Sequence, residues 1–136
     1  MEKNKEENKL EKIKGENKMI NLNDLSKESY IIAKKREKNG AFIHTEPMAI
    51  LKHCATEVVE ATEAFCDYRE ALNEALNNDN LEMLKNERIE KFENEIADII
   101  VCCLIVSGYS MIDIEKALNR VMEKNRLRAE KMGDKL

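Results

Sequence analysis

The sequence predicts an all-α protein arranged like a four-helix bundle, and three observations carry that expectation. Apolar residues recur at three-and-four spacing over long stretches instead of alternating. Sheet-forming aromatic and β-branched runs are missing, with three Phe, three Tyr and no Trp in the chain. Turn punctuation is sparse, since 136 residues contain one Pro and four Gly, which leaves room for few and short connections. The length suits one domain, and 43% hydrophobic residues are enough for a core, while 37% charged residues must cover a solvated surface.

Residues Met1 to Lys18 are almost wholly Lys, Glu and Asn, with Leu10 and Ile13 as apolar anchors. Such a segment cannot bury enough surface to offset the entropy of ordering, so 1–18 is expected to be a mobile charged arm and 19–136 the folded domain. Asn23 or Asp24 is a candidate cap for a first helix over about 24–38. Asn39-Gly40 follows as a left-handed stop. Thr45-Glu46-Pro47 signals the start of a second helix, with a capping hydroxyl ahead of a proline in the first turn. Its stripe runs from Met48, Leu51 and Cys54 through Val58, Ala61 and Phe65 to Leu72 and Ala75, and a break near its end is allowed for.

Asn77 to Asn80 has turn chemistry, and Leu81 to Val106 is then helical, closed by Ser107-Gly108. Ser110 and Asp113 fit a cap and N3 pair for a last helix carrying Ile114, Leu118, Val121 and Met122. Short loops between four helices imply mostly antiparallel neighbours.

Charge excludes some functions. A net charge of −4 and a pI near 5.4 give no long-range attraction for nucleic-acid phosphates, so no nucleic-acid partner is expected. Cys54, Cys66, Cys102 and Cys103 lack Cys-x-x-Cys spacing and read as small apolar residues of a reducing compartment. The longest apolar run, Ile99 to Val106, is far too short to span a bilayer, and no signal-peptide pattern opens the sequence. The expectation is a cytoplasmic protein without a membrane partner.

Glu57 and Glu60 lie three apart on the second helix, and Glu95 and Asp98 three apart on the third. Each pair therefore projects from one side of its helix, and antiparallel neighbours let the pairs face each other. Four like charges brought together repel, an arrangement that makes sense with a hard divalent cation among them; oxygen ligands alone favour Mg²⁺ or Mn²⁺ over zinc. Acidic pairs at this spacing are common in the chain, as Glu60/Glu63, Asp67/Glu70 and Glu87/Glu90 show, and most are solvated faces. Surroundings single out Asp98, embedded in Ile96-Ala97-Asp98-Ile99-Ile100-Val101 and therefore expected to be buried and in need of compensation. A buried ion pair to Lys or Arg is the alternative to a metal. A di-iron carboxylate bundle needs Glu-x-x-His on two helices, which the sequence does not contain. His53, one turn before Glu57, and His44, in the preceding loop, could each help orient a ligand, though a hydrogen-bonded structural histidine is the favoured reading of both.

The strings Glu57-Val58-Val59-Glu60 and Glu95-Ile96-Ala97-Asp98-Ile99-Ile100 resemble the Glu-x-x-Glu and Glu-x-x-Asp signature of the MazG-like all-α nucleoside triphosphate pyrophosphohydrolases. That superfamily includes dimeric dUTPases, dCTP pyrophosphatases and phosphoribosyl-ATP pyrophosphohydrolases. The resemblance covers about residues 22–130, and Lys124-Asn125-Arg126-Leu127-Arg128 resembles the Asn- and Arg-bearing segment that follows the metal helices. It implies an oligomeric MazG-type fold in which Glu57, Glu60, Glu95 and Asp98 hold Mg²⁺, or Mn²⁺. Lys124, Asn125 and Arg128 contact phosphate or sugar, and Glu57 or Glu60 activates the attacking water. The implied reaction is hydrolysis of a ribo- or deoxynucleoside triphosphate to the monophosphate and pyrophosphate, in nucleotide-pool sanitation or control. An acidic chain can hold such an anion only with metal ions to screen the charge and a few cations to hydrogen-bond it.

The chain departs from the pattern at Val121, where relatives often place a lysine, so that Arg120 or Lys124 must substitute. It also lacks the Trp that can stack a pyrimidine, leaving Phe42, Tyr68 or Tyr109 for that part, with Phe65 better suited to the core. Two alternatives stand beside this reading: phosphoribosyl-ATP cleavage, and a non-enzymatic helical interaction protein. The second and third helices are longer than a bundle of this size needs, which points to a homodimer or homotetramer.

Overall fold

A computed structural model of the chain describes residues 20–40, 44–75 and 82–133, and these form four helices without a strand. They are α1 (Leu22–Lys38), α2 (Pro47–Ala75), α3 (Glu82–Tyr109) and α4 (Ile114–Gly133). No described helix is long and apolar enough to cross a membrane. The expected arm, the Asn77–Asn80 turn and Phe42 lie outside the described residues.

The centre of the fold is the pair α2 and α3. Arg88 meets Asp67, Phe92 meets Phe65 at 5.4 Å between ring centres, and Glu95 meets Glu57, so partner numbers fall as α3 advances and the two helices run antiparallel. Small residues make the approach possible: Ala61, Ala64 and Ala71 of α2 are all buried. α2 runs unbroken to Ala75. Phe65 does not enter a core; it is 42% exposed, with the Arg69 guanidinium over its ring at 5.8 Å.

α1 closes the other side of α3, around a small cluster of Ala33, Ile50, Cys102 and Ile105. Ser26 is buried and donates its hydroxyl to the Leu104 carbonyl at 2.8 Å. Gly108 is part of this contact. It does not end α3, as the sequence suggested, but sits inside the helix, where a Cβ would come within 2.5 Å of the Ser26 carbonyl oxygen. α3 continues to Tyr109, whose ring meets Tyr30 edge-on at 5.7 Å, and the left-handed turn residue is Met111, with φ 52°.

The caps also differ from expectation. Asn21, not Asn23 or Asp24, caps α1, accepting from the Asp24 amide at 3.1 Å. Asn23 instead ties α1 to α4: its Oδ1 accepts from the Ile114 and Glu115 amides, and its Nδ2 donates to Asp113. Asp113 itself caps α4 by accepting from the Lys116 amide at 3.0 Å, so it is the cap and not the N3 partner of Ser110. The Thr45 hydroxyl, expected to cap α2, donates to Glu37 at the end of α1, and the Glu46 carboxylate accepts from the Ala49 amide in its place. Gly40, at φ 84°, provides the left-handed stop foreseen after α1.

α4 is the unexpected element. Its one substantial contact is with α1, and none of its residues is buried, so the described chain is three packed helices plus a fourth held mainly by its first turn.

Candidate metal centre

Carboxylate oxygens of Glu57, Glu60 and Glu95 lie within 4.8 Å of one another. The antiparallel pairing of α2 with α3 accounts for this, because residues one turn apart on α2 share a face, and Glu95 comes alongside Glu57 in the same register that pairs Phe92 with Phe65.

Glu57 is buried, at 8% exposure, while Glu95 is half-buried and Glu60 exposed. Burial pushes the Glu57 carboxyl above the usual glutamate range, and the neighbouring Glu60, Asp98 and Glu95 charges push it further; His53 acts in the opposite direction. His53 Nε2 lies 2.8 Å from Glu57 Oε1, an ion-pair distance when the imidazole is protonated. The one-turn spacing of His53 and Glu57 in the sequence is the signal for this contact.

Asp98 requires a correction. It is exposed, as are Ile96 at 40%, Ile100 at 51% and Val101 at 42%, because none of the described residues covers this face of α3. The argument that a carboxylate among apolar neighbours must be buried therefore holds for Glu57 and not for Asp98. Asp98 stands close enough to raise the Glu57 pKa but lies outside the converging set of three, and among the described residues no Lys or Arg pairs with it.

Lys124, Asn125 and Arg128 are exposed on α4, which makes no substantial contact with α2 or α3, so within one chain the predicted phosphate-binding residues are not brought to the carboxylates. Tyr68 is half-buried on α2, and Tyr109 is spent on Tyr30. Behind the cluster Cys102 is buried, and desolvation followed by the neighbouring Cys54 and Glu57 raises its thiol to about 11, which makes it inert.

Three facing carboxylates, one of them desolvated and made less acidic by the others, suit a hard divalent cation, whose charge removes the repulsion and the burial cost together. All the donors are oxygens, which fits Mg²⁺ or Mn²⁺. No family model, curated protein or solved structure matches the chain.

Proposed function

We propose that this chain is a Mg²⁺-dependent hydrolase that cleaves a nucleoside triphosphate to the monophosphate and pyrophosphate, with a MazG-type arrangement of its helices. The observation that carries the reading is the convergence of Glu57, Glu60 and Glu95 from two antiparallel helices onto one point. These are three of the four positions of the Glu-x-x-Glu and Glu-x-x-Asp signature.

Glu57, Glu60 and Glu95 would hold the cation, with Asp98 joining them by a change of side-chain rotamer on an unobstructed surface. When bound, Mg²⁺ would screen the triphosphate and stabilise charge developing on its oxygens. The chain's own part is to place the anion and to handle a proton. Glu57 or Glu60 would orient or deprotonate the attacking water. His53, 2.8 Å from Glu57 Oε1, would help to orient that carboxylate. Lys124, Asn125 and Arg128 supply hydrogen-bond donors for phosphate oxygens.

The test is pyrophosphate release from a panel of ribo- and deoxynucleoside triphosphates, with and without Mg²⁺, by the native chain and by Asp98→Asn and Glu57→Gln. Metal-dependent release that each substitution lowers by at least about a hundredfold, with helicity retained, is the expected result. Activity without metal, full activity in both variants, or no cleavage of any substrate would remove the reading. The non-enzymatic alternative draws on one observation, the number of large apolar side chains left exposed, including Val58, Val59, Ile100 and Val121. A folded chain that binds no divalent cation would favour it.

A further inference from the structure

Three of the four cysteines come together where α2 packs on α3. Cys54 precedes Glu57 by three residues on α2, and Cys102 follows Asp98 by four on α3, so the thiols form the layer one turn beyond the carboxylates. Cys54 packs against the small core that contains Cys102, and its thiol is in hydrogen-bonding reach of both Cys102 and Cys103. The antiparallel register that places Phe92 beside Phe65 also brings these residues opposite one another. Cys66, the fourth, lies about 18 Å further along α2.

The three thiols are not equivalent. Cys102 and Cys103 are neighbours in sequence and project about 100° apart around α3, and Cys54 reaches both from the facing helix. Cys102 is buried, Cys54 partly buried and Cys103 exposed, which gives a path from solvent through Cys103 to Cys54. The sulfurs do not converge as the carboxylates do: among the described residues, Glu57, Glu60 and Glu95 are the set whose ligand atoms all lie within 4.8 Å of one another, and the thiols form no such set. A soft cation needs several thiolates around one point, whereas burial raises the Cys102 and Cys103 thiols above their ordinary range and keeps them protonated. Contact in pairs suits a bond between two sulfurs better than it suits a metal.

We propose that Cys54 and Cys103 are a redox-active pair, which a low-molecular-weight disulfide converts into a disulfide bond stapling α2 to α3. The thiolate of Cys103, the exposed member, attacks one sulfur of the small disulfide. A bond forms from Cys103 Sγ to that sulfur, the small S–S bond breaks, and the departing thiolate takes up the proton that Cys103 gave up. Cys54, already in contact, then attacks Cys103 Sγ in the mixed disulfide and expels the second small thiol with its own proton. Two protein thiols are oxidised, and one small disulfide is reduced to two thiols. The raised thiol of Cys103 makes the first step slow at neutral pH, because the thiolate is the nucleophile, while contact with Cys54 makes the second intramolecular. Excess small thiol reverses both steps, so the staple follows the ratio of small disulfide to thiol. Its loop of about fifty residues restrains the unfolded chain, and the bond holds together the two helices that carry the carboxylates, one turn from Glu57. None of this depends on the hydrolase reading.

The test uses the full native chain, incubated with oxidised glutathione, quenched with N-ethylmaleimide under denaturing conditions and mapped by mass spectrometry after proteolysis without reductant. The expected product is a peptide pair joining Cys54 to Cys103 within one chain, with Cys66 and Cys102 alkylated and all four thiols recovered on adding dithiothreitol. The oxidised chain should melt several degrees above the reduced one. Cys54→Ser should halt the reaction at the mixed disulfide of Cys103 with glutathione, and Cys103→Ser should leave Cys54 alkylated. The map of the native chain decides the matter even if a variant fails to fold. A native chain that keeps all four thiols free, retains glutathione on Cys103 without closing, or links Cys54 to Cys102 or to another chain overturns the proposal. So does an oxidised form that melts lower than the reduced one, because the helices would then have to part to make the bond.

Discussion

Glu57 is the residue on which the candidate site turns, because it combines burial, three acidic neighbours and a histidine contact. A carboxyl whose folded pKa is raised stabilises the fold below its unfolded pKa, near 4.5, and loses that contribution as pH rises through the folded value. At neutral pH the group therefore weighs against the metal-free fold, and a cation relieves that burden. Glu57→Gln should raise the melting temperature of the metal-free protein at pH 7 while removing most of the increase that Mg²⁺ gives the native chain. At a hundred times its dissociation constant that increase corresponds to about 2.7 kcal/mol. Calorimetry with EDTA and with Mg²⁺ checks both signs; a variant less stable than native in EDTA contradicts the account. The sequence pointed to Asp98 as the costly carboxylate. Burial depends on what covers a helix face, and the apolar neighbours of Asp98 are themselves uncovered among the described residues.

The helices are joined by contacts that propensity does not disclose. Glu37 at the end of α1 accepts from the Thr45 amide and hydroxyl and from Lys34, and these bonds hold its carboxyl down at about 2. Its contribution is thus present above pH 4.5 and lost as pH falls toward 2. Acid unfolding of Glu37→Gln should lack the loss of stability that the native chain shows between those values, as urea melts at pH 5 and pH 3 will show. Gly108 has the opposite character, since its value lies in what it omits. A methyl group there must displace the Ser26 backbone, a collision that no rotamer can relieve, so Gly108→Ala should destabilise by about 1–3 kcal/mol in urea denaturation. A neutral or stabilising effect would mean that α1 does not approach α3 this closely. Periodicity located all four helices to within a few residues, and the Gly40 stop and Pro47 start were readable because backbone geometry there is local. The tie from Asn23 to α4 and the contact of Gly108 with Ser26 were not readable, because each depends on a partner some eighty to ninety residues away in sequence, whereas the cap at Asn21 is local and was a choice among adjacent polar residues.

For the whole molecule, the balance of buried and exposed apolar groups sets the expectation. Among the described residues Ile50, Leu104 and Ile105 are the large aliphatic residues buried, while Leu51, Val59, Ile100, Val121 and many others remain at least 40% exposed. A core so small gives a single copy little stability, and patches of this kind mark association surfaces. The melting temperature should therefore rise with protein concentration, by several degrees between 1 and 100 µM, and scanning calorimetry over that range checks it; an invariant value would mean that the single chain is the stable unit.

The all-helical architecture, the positions of the helices and the pairing of acidic residues on common faces followed from the sequence alone, because they depend on local backbone preference and on a period of 3.6 residues. Which carboxylate is buried, where α4 lies and that its basic residues stand apart from the acidic cluster within one chain were settled only by the tertiary structure. The physical reason is that burial and convergence are properties of pairs of surfaces, and a helix whose amphipathic pattern is plain in sequence carries no record of what it will be packed against.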